Sequence, residues 1–242
     1  MCSREARLTK APRPFTLWLE ELQVADWAQI FADARMQRLE PNPELLAVLP
    51  ALRAAGLHRV LDAGCGVGRH LLPLVAAGFL VWGVDREQPV LDLVKTQIKS
   101  RSACGHAFLV RGDLARLPFP AGAFDLAVSI NVVNHGTAAE FRAYCRELDR
   151  VLRPGGHLFV YVSPREFGEL VRLPRTRELE PGTLVDIATP DGNLVHHFPT
   201  SGELQEQFRG YGTRRFETVL APIPFMDTAR MPQLIFWGEK RG

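Results

Sequence analysis

Only four cysteines occur in the 242 residues, Cys2, Cys65, Cys104 and Cys145. They are widely spaced and form no CxxC pair, so neither a thiolate zinc site nor a disulfide framework is expected. Reduced thiols in a cytoplasm are the simplest setting. An excess of charge is lacking too: 29 Lys and Arg face 27 Asp and Glu, a formal net charge of +2. That balance argues against a nucleic-acid partner gripped through a broad basic footprint. The densest basic stretch, Arg165 to Arg177, also carries Glu166 and Glu169 and reads as a solvated loop. The run most like a membrane span, Leu71 to Val84, is broken by Pro73 and Gly78. It falls short of the roughly 20 residues a span requires, so no membrane partner is expected. The opening MCSREARLTKAPRP has charges with no apolar segment behind them, unlike a secretory leader.

What is present is a hydrophobic content of 46%, enough for one sizeable core. Phe15 to Arg38 carries Trp18, Leu22, Ala25 and Ile30 at helical spacing, with a break at Pro41 and Pro43. A second helix is expected over Glu44 to Ala55, stopped by Gly56. Strands and helices then alternate. Strands are expected at His58 to Ala63, Leu80 to Val84, Ala107 to Val110, Phe124 to Ile130 and His157 to Val162. Helices are expected at Arg69 to Ala77, Pro89 to Ser100 and Ala138 to Leu152. Short apolar strands separated by amphipathic helices imply an α/β fold, with a parallel sheet covered on both faces. Ser163 to Pro199 is different, rich in proline, glycine and mixed charge. Thr200 and Glu203 form a capping-box pair that starts a helix, and two late strands follow near Arg215 to Leu220 and Gln233 to Gly238.

The residues with chemical potential sit at the strand ends. Val60 to His70 reads as a strand, a glycine turn with Gly64, Gly66 and Gly68, and a helix. Such a turn lets a ligand approach backbone where a Cβ would collide, at the end of the sheet where open α/β folds bind nucleotides. Roughly twenty residues on, the next strand ends in Asp85, where a carboxylate can accept hydrogen bonds from both ribose hydroxyls. The third strand leads into Gly112-Asp113-Leu114; this Asp either accepts from an adenine amino group or forms an ordinary Asx turn. The fourth strand ends at Asn131, and Arg153-Pro154-Gly155-Gly156 feeds the fifth.

The ordered set LDAGCGVGRH, VWGVD, RGDLARLPFPAGAFDLAVS and LRPGGHLFVYV resembles the core of the class I S-adenosylmethionine-dependent methyltransferases over about residues 58 to 162. The resemblance implies a Rossmann-like, doubly wound, mostly parallel seven-stranded sheet with an antiparallel last strand. It implies S-adenosyl-L-methionine as cofactor and a transferase activity. Asp62, Gly64, Gly66 and Gly68 would surround the methionine moiety, with Cys65 as a small packing residue and Arg69 paired with the carboxylate. Asp85 would hold the ribose and Arg86 the adenine face. Gly112, Asp113 and Leu114 would line the adenine edge, and Asn131 would offer its carbonyl near the sulfonium. The chain divides on this reading into a helical cap (1–56), a cofactor-binding core (57–162), a substrate or lid insertion (163–200) and a closing helix and strand pair (201–242).

Ser129 to Gly136 lacks the Asn-Pro-Pro-Tyr signature of many DNA-adenine and protein-glutamine methyltransferases. The Asn134-His135-Gly136-Thr137 run and Gly192 to Phe198 look more like small bacterial methyltransferases, including the tellurite-resistance type. A small-molecule acceptor is expected. If it arrives protonated, His135, His196 and His197 are candidate bases, His135 first because it follows the fourth strand. His196 and His197 are adjacent, so on a strand at most one faces the pocket. No metal site is expected, since two histidines without a third ligand make a poor one. Arg165, Arg172 and Arg175 are expected to attract an anionic acceptor, and Phe167, Leu170 and Leu184 to shield the methyl group from water. Two other classes share part of the pattern: a cofactor-binding scaffold without turnover, and a nicotinamide-dependent oxidoreductase. The Gly-Asp-Leu segment and the terminal strand pair count against the second.

Overall fold

The alternation of apolar stretches resolves into a seven-stranded sheet whose faces are covered by different helices. The computed structural model describes residues 27–100, 105–222 and 230–242. Trp18, Leu22, Ala25, Cys2, Cys104 and the proline-rich loop between the late strands lie outside the described residues. Strands β1 (Arg59–Ala63), β2 (Leu80–Asp85), β3 (Ala107–Arg111), β4 (Phe124–Ile130) and β5 (Leu152–Val162) pair in parallel. The late strands are β9 (Tyr211–Pro222) and β10 (Arg230–Lys240). β10 runs antiparallel between β5 and β9, giving the order β3-β2-β1-β4-β5-β10-β9. The strand order turns back on itself at β1 and β4, which opens a crevice at their carboxyl ends.

Period-two alternation assigns the core. Val60, Val81, Leu126, Val128 and Phe159 face α3 (Pro43–Ala54), α4 (Leu71–Ala76) and α5 (Gln88–Ser100). Leu61, Val84, Ala127, Leu158 and Val160 face α6 (Ala138–Val151) and α8 (Ser201–Gln207). Both α6 and α8 begin with complete capping boxes, Thr137 with Glu140 and Thr200 with Glu203. Gly56 adopts a φ of +76° just after α3, the left-handed stop expected there.

Three features depart from the sequence expectation. Among the described residues of the N-terminal helical stretch, two short pieces occur, α1 (Trp27–Ala32) and α2 (Ala34–Gln37). Asp33 N–H closes onto Ile30 O and its own carbonyl accepts from Met36, so a tight turn interrupts the helix. The fifth strand begins at Leu152 rather than His157, because Leu152 already pairs with Phe124, and the Pro-Gly-Gly segment falls in the register shift before His157 pairs with Leu126. Residues 163–200 are not a plain loop. They form α7 (Arg165–Leu170) and a small antiparallel sheet of β6 (Arg177–Glu180), β7 (Thr183–Val185) and β8 (His196–His197). Phe167, Val171, Leu184, Ile187, Phe198 and Met231 give this segment its own apolar cluster. Among the described residues no helix is long and apolar enough to cross a membrane.

Candidate active site

β1 carries Asp62 to the crevice, where it is 2% exposed, and the chain then turns through Gly64 and Gly66. Gly64 and Cys65 N–H donate to Val84 O, which ties the turn to β2. Gly66 needs to be glycine on two counts. Its φ is +50°, and a Cβ there would lie 3.1 Å from the Phe31 ring of α1. Asp85, at the end of β2, accepts from Gly66 N–H at 2.9 Å through Oδ2 and from Glu87 N–H at 3.0 Å through Oδ1. The strand-end acid and the glycine turn are thus one unit.

Two cavities meet at this edge. The smaller, about 90 Å³, is lined by Asp85, Arg86, Gly112, Asp113, Leu114 and Tyr144. The larger, about 210 Å³, takes its floor from Cys65, Gly66 and Arg69, one wall from Trp27, Ile30, Phe31 and Met36, and the opposite wall from Phe167, Val171, Ile187, Asp191, His196 and Phe198. Gly64, Asn131, Val132 and His135 line both, at the junction. The other sequence-predicted residues behave differently. Asp62 and Gly68 line neither cavity: Asp62 lies buried behind the turn, and a Cβ on Gly68 would meet Val94 at 3.0 Å, so that glycine serves helix packing. Asp113 does make the Asx turn, accepting from Ala115 N–H at 2.9 Å, while still lining the smaller cavity.

The arginines and leucines of the 163–200 segment are a correction. Arg165 bonds to Phe198 O, and Arg172 pairs with Glu169 and Glu178. Neither they nor Arg175 line the larger cavity, because their guanidinium groups hold the segment together or face solvent. Leu170 is 63% exposed and Leu184 packs in the satellite cluster, leaving Phe167 as the member of that set on the wall.

Burial dominates the electrostatics. It raises the Asp62 carboxyl to about 7, against the pull of Arg69 and with Asp85 adding to the rise. Asp62 Oδ2 is buried without a hydrogen-bond partner. Burial lowers Arg69 below the usual guanidinium value, opposed by Asp62. Burial, then Asp62 and Asp85, push the Cys65 thiol well above its ordinary value, which favours the protonated thiol, and the residue packs within the apolar core cluster.

The turn after β4 holds the histidine. Asn131 adopts a φ of +53°, uncommon for a side-chain residue, and its carbonyl accepts from His135 Nε2–H at 2.8 Å. A carbonyl cannot donate, so that nitrogen carries the proton and Nδ1 is the lone-pair nitrogen of the neutral ring. Burial, then the His196 charge, lower His135 to about 4. A group titrating there is neutral at pH 7 but a weak proton acceptor, which diminishes it as a general base. His196 lines the larger cavity and His197 does not; the latter bonds to Thr183 and packs on Phe141. Asp191, 3.1 Å from His196 Nε2 and 3.9 Å from His135 Nδ1, was not visible as a site residue in the sequence. Tyr144 and Phe31 were missed as well, reading as ordinary apolar positions of helices.

Residues 61–160 match the family model described as a methyltransferase domain. A mouse (Mus musculus) tRNA (carboxymethyluridine(34)-5-O)-methyltransferase is 32% identical over 130 residues, 53% of this chain and 18% of that protein. A zebrafish (Danio rerio) tRNA N(3)-cytidine methyltransferase is 27% identical over 173 residues, 69% of this chain and 48% of that protein. The chain therefore spans less than half the length of these curated relatives. Among solved structures, an S-adenosylmethionine-dependent methyltransferase of Methanosarcina mazei superposes with a TM-score of 0.67 at 21% identity, covering 84% of this chain and 99% of that one. The Burkholderia thailandensis 1,6-didemethyltoxoflavin-N1-methyltransferase, solved with 1,6-didemethyltoxoflavin and S-adenosylhomocysteine, superposes with a TM-score of 0.61 at 18% identity. That match covers 97% of this chain and 94% of the other. With the sheet order and the glycine turn, these findings show that residues 61–160 carry a methyltransferase domain, within a fold shared with S-adenosylmethionine-dependent methyltransferases.

Proposed function

We propose that this chain transfers the methyl group of S-adenosylmethionine to a small organic acceptor bound in the larger cavity. The observation that carries the reading is the junction of two cavities at Trp27, Phe31, Gly64, Asn131, Val132 and His135, one lined by the strand-end acids Asp85 and Asp113 and the other largely apolar. The residues present fit the cofactor. Asp85 offers a carboxylate beside the smaller cavity, and Gly64 and Gly66 present bare backbone to the cavities. Arg69, on the floor of the larger cavity, offers an anionic carboxylate a counter-charge, and Asp62, behind the turn with an unpartnered Oδ2, would be the counter-charge for an ammonium. When bound, the cofactor supplies an electrophilic methyl group on its sulfonium. The chain's part is to hold the acceptor in line and exclude water. Trp27, Phe31, Phe167 and Phe198 provide the apolar walls, so that the described part of the cap (27–56) and the 163–200 segment enclose the acceptor over the cofactor core.

The walls that shape the larger cavity come mostly from segments outside the methyltransferase-domain match, and this favours an acceptor particular to this chain. The test has two stages. Calorimetry against S-adenosylhomocysteine and NAD should show binding of the first alone. Labelled-methyl transfer is then measured separately into a tRNA pool and into a small-metabolite pool. Label confined to the small metabolites supports the proposal; label in tRNA, the acceptor named for both curated relatives, replaces its acceptor half. Asp85→Ala should weaken S-adenosylhomocysteine binding by about 1.5–3 kcal/mol, the cost of losing hydrogen bonds to a charged acceptor. Unchanged affinity in that titration would place the ribose elsewhere.

A further inference from the structure

We propose that His135, Asp191 and His196 form a binding site for a divalent first-row transition-metal ion on the wall of the larger cavity. The donor atoms, one from each residue, lie within 4.8 Å of one another. Nitrogen and oxygen ligands about 2.0–2.2 Å from a single ion stand roughly 3–3.5 Å apart, so this spacing needs only side-chain adjustments to close on one.

The hydrogen bonds around the cluster orient both imidazoles toward Asp191. His135 Nε2–H is spent on Asn131 O at 2.8 Å, which turns Nδ1 toward Asp191. His196 Nδ1–H is spent on Leu194 O at 2.9 Å, which turns Nε2 toward the same Asp191 oxygen at 3.1 Å. Backbone carbonyls that fix the far nitrogen of each imidazole are the usual outer support of metal-bound histidines. The frame is pinned by main chain as well: Gly136 N–H bonds to Val195 O, His197 N–H to Asn134 O and Leu194 N–H to Asp191 O.

The charge arrangement asks for a cation. With both outer nitrogens protonated, the inner faces present two imidazole lone pairs and a carboxylate to one another. A single proton on His196 Nε2 would satisfy the 3.1 Å pair with Asp191 and leave His135 Nδ1, buried and without a hydrogen-bond partner, unsatisfied. One metal ion satisfies all three. Two imidazoles and one carboxylate suit zinc, cobalt or iron(II) rather than magnesium, and three protein ligands leave a position open. Because His135, Asp191 and His196 all line the larger cavity, that position faces the acceptor space. An acceptor with an oxygen or nitrogen donor can occupy it. This last step rests on the proposed function; the ion site does not.

Cobalt(II) is the probe. Chelator-treated protein is titrated with Co²⁺ and followed by its visible ligand-field absorption, with far-UV circular dichroism and S-adenosylhomocysteine binding measured on the same samples. We expect one equivalent of Co²⁺ to bind, displaced by Zn²⁺. Asp191→Asn and His196→Gln, both outside the smaller cavity, should each weaken it by at least on the order of 100-fold while cofactor-product binding persists. If folded wild-type protein takes up no stoichiometric Co²⁺, or if both variants bind it undiminished, the site is wrong. A variant that loses its dichroism is set aside for the other, and the wild-type titration alone can refute the site. Failure of S-adenosylhomocysteine to bind while Co²⁺ does would overturn the methyltransferase reading and leave the metal site standing.

Discussion

Gly66→Val is expected to abolish binding of S-adenosylmethionine and its product while the far-UV dichroism stays near that of the parent chain. The glycine sits on the floor of the larger cavity with a φ of +50°. A branched side chain there is strained by its backbone and projects into the space the turn keeps clear. Two causes of lost binding are separable. A Cβ at this position would lie 3.1 Å from Phe31, so the variant could displace α1 rather than exclude ligand. Phe31→Ala relieves that contact, and because Phe31 lines both cavities the single variant is measured as the reference for the wall it removes. The Gly66→Val/Phe31→Ala double variant should therefore bind as poorly as Gly66→Val alone, by more than about 3 kcal/mol relative to the parent, the size of effect that a misplaced buried group produces. Recovery of binding in the double variant would mean that the turn supports α1 and that the cofactor lies elsewhere. Global unfolding of Gly66→Val would show the turn to be structural first.

That glycine turn was legible from residue types alone because its signal is local. Gly64, Gly66, Asp85 and Asp113 each sit within a few residues of a strand whose apolar run is plain, and parallel-sheet topology brings strand ends to one edge. The same reasoning located the late antiparallel pair, though the strands reach further than their apolar centres, to Tyr211 and Lys240, because backbone pairing continues through charged residues at a sheet edge. The 163–200 segment was not legible as structure. Its strands have four, three and two residues, too short for a period to show.

Asp191 was hidden for a different reason. Pro190-Asp191-Gly192 reads as an ordinary turn, and nothing local connects it with His135. The bridge between His135 and His196 makes that connection, and it forms only once the small sheet has folded against the turn after β4. The arginines failed in the opposite sense. Their number suggested an anion site, yet Arg172 is spent on Glu169 and Glu178, partners close enough along the chain to have been weighed from the start.

Asp62 gives the second large effect, a pH dependence of cofactor affinity. Burial holds its carboxyl at about 7 in the ligand-free fold, whereas the ordinary value is 3.8. On the proposed placement the ammonium of the methionine moiety comes to this side chain, and a nearby positive charge favours the ionised form and lowers the pKa. Binding then releases a proton wherever the free protein still holds one, which is below about pH 7. Affinity for S-adenosylmethionine should accordingly rise by up to about tenfold per pH unit from pH 5.5 toward 7, and level off above it. The stability of the free protein follows the opposite course. A carboxyl whose pKa is raised by folding favours the fold while protonated, so this contribution is fully present below pH 3.8 and is lost as pH climbs through about 7. The thermal shift produced by S-adenosylmethionine should thus be larger at pH 8 than at pH 6. Calorimetry in buffers of different ionisation enthalpy counts the released proton directly. Asp62→Asn should flatten both profiles, since its amide neither titrates nor offers a counter-charge. A profile that persists in Asp62→Asn would assign the proton to another group and remove Asp62 from the ammonium site.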